Sequence, residues 1–153
     1  MRGDHSPELR SGIQALAEQM SAQGIKRTDP VREIPAMLGD RWAALILLVL
    51  DIGRWRHAEL RRVLGQLGAE GKISQRVMTL KLRAMERNGL VNRFVTRDLP
   101  PKVDCELTEM VHSLCDASRG LIEWTRRNQS RIQQARALFR AELTSTQSAA
   151  QPE

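Results

Sequence analysis

Arg76, Thr79, Leu80 and Arg83 fall at i, i+3, i+4 and i+7, so a helix containing them gathers two guanidinium groups, a hydroxyl and a branched apolar chain on one side. Such a set can donate hydrogen bonds to an anionic partner, and the chemistry it suggests is recognition. Met78, Leu82 and Met85 make an apolar stripe on the opposite side, which can anchor the helix while the first face touches something else. The element that positions both sets carries its own boundaries. Ser74 is a good N-cap, Ile73 before it can pack on Met78 as a hydrophobic staple, and Asn88-Gly89 supplies a left-handed stop. The stretch from Ile73 to Val91 therefore reads as one capped helix with two chemically different faces.

Charge points to the partner. From Arg54 to Lys102 there are twelve Lys or Arg against four acids, a net of +8, while the rest of the chain is −2, so the whole formal charge of +6 comes from this region. A surplus gathered around a capped helix is the electrostatic footprint of polyanion binding, with nucleic acid the leading candidate. At 153 residues and 41% hydrophobic, the chain suffices for one ordinary core with helical tails. The longest apolar run, Trp42 to Leu50, is far short of a membrane span, and the first residues, Met1 to Pro7, lack the apolar core of a signal peptide. No membrane partner is expected, and a cytoplasmic location is. Two cysteines, Cys105 and Cys115, are too few for a disulfide framework, in keeping with a reducing compartment.

Other constellations carry less. His112 and Cys115 are three apart with Cys105 near in sequence, but no second His or Cys-x-x-Cys completes a four-ligand metal set, and core packing is preferred. Gly65, Gly68 and Gly71 follow a helix instead of a strand, and Gly71-Lys72 precedes Ile73 where a phosphate loop needs Ser or Thr. Arg2-Gly3-Asp4 reads as a chance tripeptide. Three scattered histidines offer no triad and no paired-carboxylate site, so neither an enzyme nor a cofactor is expected. Trp42, Trp55 and Trp124 could line a pocket, which leaves a small-molecule effector open and unidentified, though apolar side chains at helical spacing are usually core.

Around the two-faced helix the period of the apolar residues changes in order. Leu9, Ile13, Leu16 and Met20 make Pro7 to Gln23 an amphipathic arm that stops at Gly24. Thr28-Asp29-Pro30 starts a helix toward Leu38, disturbed at Pro35, and Asp40 can cap an apolar central helix from Arg41 to Leu50. Trp55 is placed in a very short strand, His57 to Leu64 in a helix with Leu60, Val63 and Leu64 inward, and Gly65 to Gly71 in a loop. Leu90 to Arg97 and Lys102 to Leu107 alternate around Pro100-Pro101 as a β-hairpin. From Thr108 a helical pattern runs toward Leu143, and the Ser-, Thr- and Gln-rich residues beyond are expected to be disordered.

Leu38-Gly39-Asp40-Arg41-Trp42, Glu59-Leu60-Arg61-Arg62, Ile73-Ser74-Gln75-Arg76, Asn88-Gly89-Leu90-Val91, and Pro100-Pro101-Lys102-Val103 with Leu107-Thr108-Glu109 occur in an order that resembles the HxlR-type branch of bacterial winged-helix transcriptional regulators. The likeness covers roughly positions 29 to 125. It implies a homodimer in which each subunit lays the second helix of a helix-turn-helix in the major groove of double-stranded DNA, with the hairpin as a wing along the backbone. It makes Ser74, Gln75, Arg76, Thr79 and Arg83 groove-facing and puts Arg97 and Lys102 on the wing. The side chains suit those roles: Arg76 can donate bidentately to guanine, Gln75 can pair with adenine, Leu80 can meet a thymine methyl, and wing cations can meet phosphates.

The chain departs from that family in several places. Many members carry a Cys before the proline that opens the core helix, and some use it to sense electrophiles or oxidants. Here Asp29 precedes Pro30, which excludes thiol sensing at that site. His57 replaces an aromatic, Cys105 stands where Tyr is common, Val111 stands for Gly, and the loop from Gly65 to Gly71 is longer than usual.

The expected protein is mainly α with a small β-hairpin wing, a winged helix-turn-helix with helical N- and C-terminal extensions. Its segments are an arm at 1–28, the DNA-binding domain at 29–107, dimerisation helices at 108–143 and a disordered tail at 144–153. The cations Arg126, Arg127, Arg131, Arg136 and Arg140 then form the outer face of the dimerisation helix, with Ile122, Ile132 and Phe139 inside. Its expected function is sequence-specific regulation of transcription, as a homodimer on a palindromic operator and as a repressor by occlusion instead of an enzyme. The alternatives are a winged-helix protein-interaction module and a nonspecific nucleic-acid-binding protein.

Overall fold

Eight consecutive apolar residues form the helix around which the N-terminal part of the chain is built. The computed structural model describes residues 6–69 and 71–149. The Arg2-Gly3-Asp4 tripeptide, most of the N-terminal stretch read for a signal peptide, Glu70 in the glycine loop, and 150–153 lie outside the described residues. The helices are α1 (Pro7–Gln23), α2 (Pro30–Leu38), α3 (Ala43–Leu50), α4 (His57–Leu67), α5 (Gln75–Arg87) and α6 (His112–Ala149), and the strands are β1 (Trp55–Arg56), β2 (Val91–Val95) and β3 (Val103–Leu107). By its contacts the chain divides into two units, Met1–Leu107 and Thr108–Glu153.

The first unit is a mainly helical winged helix-turn-helix with a small sheet, as the sequence indicates. Asp40 Oδ1 accepts from the backbone N–H groups of Trp42 at 2.9 Å and Ala43 at 3.1 Å, which starts α3 two residues later than Arg41. Pro35 lies inside α2, which nonetheless continues to Leu38. Ile46, Leu47, Val49 and Leu50 of α3, Leu60 and Leu64 of α4, and Met78, Leu82 and Met85 of α5 form one buried core, each large side chain contributing about 1.5–3 kcal/mol by its removal from water. Trp42 is core too, and Trp55 Nε1 donates to Val49 O at 3.0 Å, so neither is free to line an effector pocket, while Trp124 is exposed.

Two expectations in this unit are revised. α4 continues through Gly65 to Leu67, with Gly68 N donating to Leu64 O at 2.9 Å. A single glycine costs a helix only about 1 kcal/mol, and the packed Leu60 and Leu64 outweigh it. The loop therefore begins at Gly68. There a Cβ would meet the Trp42 ring at 2.7 and 2.9 Å, so this glycine admits the indole. The wing is also more than a hairpin. β2 pairs antiparallel with β3, from Val91 opposite Leu107 to Val95 opposite Val103, and β1 adds to the other edge of β3 with Trp55 opposite Cys105, giving the order β1-β3-β2.

In the second unit a short 3-10 turn, Glu109–Val111, leads into α6. This single helix of 38 residues is about 57 Å long at 1.5 Å per residue. It passes the expected end at Leu143 and continues through 144–149, which were expected to be disordered. The hydroxyls there are satisfied within the helix: Thr144, Ser145 and Thr146 each donate to the carbonyl four residues back, at 2.9–3.0 Å. Val111, Cys115 and Ser118 are buried, whereas Leu121, Trp124, Leu138 and Phe139 are exposed.

Candidate nucleic-acid interface

α5 starts and stops where its local chemistry dictates. Ser74 Oγ accepts from Val77 N at 3.1 Å, the N-cap bond that a serine can make. At the other end Gly89, with φ +69, donates to Glu86 O at 3.0 Å and Leu90 N donates to Met85 O at 2.9 Å, a Schellman stop. Ile73 and Met78 are both buried, as a hydrophobic staple requires.

Three long-range bonds then hold the helix in place. Arg61 Nε donates to Ile73 O at 3.0 Å ahead of the first turn. Mid-helix, Lys81 Nζ lies 2.6 Å from Asp40 Oδ2. At the C-terminus Arg87 pairs with Glu33 of α2, which also accepts from Asn88 Nδ2 at 3.4 Å. Burial opposes ionisation of Asp40, but the Lys81 hydrogen bond and the two backbone donors outweigh it and hold the carboxyl below its ordinary value.

With Met78, Leu82 and Met85 turned into the core, Arg76, Thr79, Leu80 and Arg83 share the exposed side of α5. Among the described residues Arg76 has no ion-pair partner, while Arg83 Nη1 lies 2.8 Å from Glu86 Oε2. Arg97 and Lys102 are exposed in the loop between β2 and β3, where Thr96 N donates to Lys102 O at 2.8 Å and Lys102 N to Thr96 Oγ1 at 3.0 Å. Lys102 Nζ is 4.0 Å from Asp98. Gln75 is placed apart from the Arg76 side: it lines a cleft of about 270 Å³ with Arg56, His57, Arg61 and Lys102.

Arg56, His57 and Arg61 are not among the DNA-contacting residues the sequence indicates. Their signal lay in the charge surplus from Arg54 onward and in the period of α4, where Arg61 and Arg62 fall outside the Leu60–Leu64 stripe. A second cationic cavity, of about 460 Å³, opens beside Arg61, Arg62 and Lys72. Asp104 of β3 braces the cationic β1 edge, 3.2 Å from Arg54 Nη2 and 3.5 Å from Arg56 Nε, and Arg54 also stacks over Phe94 at 4.1 Å. Burial, then the charges of Arg93 and Arg61, hold His57 below its ordinary pKa. Burial pushes the Cys105 thiol up to about 11, against the pull of Arg93, so it remains a protonated packing residue near neutral pH.

A capped, core-anchored helix with a cationic outer face, followed by a three-stranded wing with exposed cations at its tip, is the architecture of a DNA-binding helix-turn-helix. The sequence pattern of the HxlR-like helix-turn-helix family matches residues 37–133, well over half of the chain. The chain belongs to the HxlR-like helix-turn-helix family. The HTH-type transcriptional regulator YdeP of Bacillus subtilis (strain 168), itself uncharacterised, is 33% identical over 113 residues, covering 74% of this chain and 84% of that protein. Among solved structures, ytfH from Salmonella typhimurium, assigned as a transcriptional regulator, superposes with a TM-score of 0.60 at 28% identity over 73% of this chain and 95% of its own. The redox regulator HypR in its reduced form superposes with a TM-score of 0.57 at 30% identity, covering 69% and 98%. This HxlR-like chain is thus a DNA-binding transcriptional regulator of the helix-turn-helix type. No described helix is long and apolar enough to cross a membrane.

Proposed function

We propose that the protein is a sequence-specific repressor that works as a homodimer in the cytoplasm and occludes a palindromic operator. The observation that carries this reading is the exposed face of α5, where Arg76, Thr79, Leu80 and Arg83 are presented by a helix held at its start, middle and end. In the major groove Arg76 donates to guanine and Leu80 meets a thymine methyl. Arg83 exchanges Glu86 for DNA. Ser74, whose oxygen already caps the helix, keeps its O–H for a phosphate. Gln75 reaches a base edge from the side of the cleft, and Arg97 and Lys102 hold the backbone from the wing.

Dimerisation falls to the terminal helices. Leu9, Ile13 and Leu16 of α1 are each more than half exposed in the single chain, as are Leu121, Ile122, Trp124, Leu138 and Phe139 of α6. Stripes this extensive favour burial against a second copy. The domain division follows: an arm at 1–28, the DNA-binding domain at 29–107 and dimerisation by α6, with two reading helices about one DNA turn, roughly 34 Å, apart. No catalytic step and no cofactor enter this reading.

The test is binding, across a salt series, to a palindromic fragment from beside its own gene and to a random duplex. Specific binding exceeds nonspecific binding by about 10³-fold or more. Equal affinity for both duplexes reduces the protein to a nonspecific binder, and no affinity at moderate salt turns the reading toward a protein-interaction module.

A further inference from the structure

The cleft between α4, the start of α5 and the wing is cationic from three sides: Arg56 comes from β1, Arg61 from α4 and Lys102 from the wing loop, with the Gln75 amide between them and no carboxylate among the described lining residues. Arg56 and Lys102 are loosely engaged, 3.5 Å from Asp104 and 4.0 Å from Asp98. His57 completes the wall, half-buried, with neither ring nitrogen hydrogen-bonded among the described residues.

The charges that act on His57 are those of Arg61 on its own helix and Arg93 on β2. Neither Glu59 on the same helix nor Glu106 on β3 offsets them. α3 has no titratable side chain, Asp104 of β3 is held by Arg54 and Arg56, and Glu86 of α5 is held by Arg83. A second proton on the ring is therefore disfavoured while the cleft is empty of anions. An oxyanion in the cleft reverses the sign, because it screens the arginines and accepts from a protonated imidazole.

We propose that a backbone phosphodiester of bound DNA seats in this cleft and draws a proton onto His57, so that the protein holds DNA more tightly as the pH falls through the histidine range. This inference rests on the DNA-binding reading of the same surface. The sign follows from linkage: a complex that binds one more proton than its free components gains affinity on acidification, by at most about tenfold per pH unit. The gain stops once His57 is protonated in the free protein as well.

The experiment compares the affinity of the full chain for one duplex at pH 8 and pH 6, at fixed ionic strength, for wild type, His57→Gln and His112→Gln. Wild type and His112→Gln should bind about five- to twentyfold more tightly at pH 6, and His57→Gln should change by less than about twofold. An NMR titration of the His57 ring in the unaltered protein gives a readout independent of any variant: its midpoint should move to higher pH when duplex is added. Affinity that is flat with pH in wild type, a gain kept in His57→Gln, or a midpoint unmoved by DNA overturns the proton coupling and leaves DNA binding standing. No binding at either pH overturns both.

Discussion

Lys81 Nζ lies 2.6 Å from Asp40 Oδ2 across 41 residues of chain, while Asp40 Oδ1 accepts from the backbone of Trp42 and Ala43. One carboxylate thus starts the central helix α3 and fixes the middle of the exposed helix α5.

The two duties of Asp40 separate by substitution. Asp40→Asn keeps an acceptor for the α3 N–H groups and loses the ion pair. Because both side chains stay partly exposed, this should cost under about 1 kcal/mol. Asp40→Ala also loses the cap and should cost about 1–2 kcal/mol. Since the folded carboxyl sits below its ordinary value of 3.8, the wild-type advantage over Asp40→Asn is fully present above that value and is lost as the pH falls through the folded pKa. Urea midpoints at pH 7 and pH 3 check it; an advantage that grows toward acid contradicts the assignment.

Gly68→Ala should destabilise by about 1–3 kcal/mol through overpacking, because its Cβ would arrive 2.7 Å from the Trp42 ring. Denaturant midpoints followed by tryptophan fluorescence measure this. An unchanged midpoint would mean that the indole can swing away.

Gly89→Ala should also destabilise, for a different reason. Nothing lies within 4 Å of its Cβ position, but its φ is +69, which costs an L-residue about 1–2 kcal/mol. Gly89→Asn should lose less, since asparagine tolerates that conformation better. If Ala and Asn cost the same, backbone conformation is not the cause.

Arg76 and Lys102 should fail differently. Arg76→Ala should lose about 1–3 kcal/mol on the preferred duplex and relax sequence preference there, whereas Lys102→Ala should weaken binding to all sequences and lower the salt slope by about 1. Competition binding on two duplexes at several salt concentrations separates these outcomes. Equal effects on both duplexes by both variants would remove the division of labour between helix and wing.

What the sequence determined by itself is everything settled within a turn or two of chain. Ser74 caps α5 through a bond three residues long, Gly89 ends it with bonds of three and five residues, and the Met78–Leu82–Met85 stripe declares which side is buried. These features need no knowledge of the rest of the molecule, so the boundaries and faces of α5 were legible, as was the pairing of β2 and β3 in a hairpin; the expected alternation holds in β3 but not in β2, where only Val91 is buried. Where local signals balance, the reading failed. Gly65 looked like a break but stays helical, and the polar residues after Leu143 looked disordered but bond back to their own helix.

Only the tertiary structure decided what meets across long stretches of chain. Lys81 finds Asp40, Arg87 finds Glu33, the Trp42 ring fills the space a Cβ on Gly68 would take, and Arg56, His57, Arg61, Gln75 and Lys102 converge on one cleft. Each depends on how α2, α4, α5 and the wing are set around α3. That arrangement is fixed by close packing of the whole core, which no local spacing encodes.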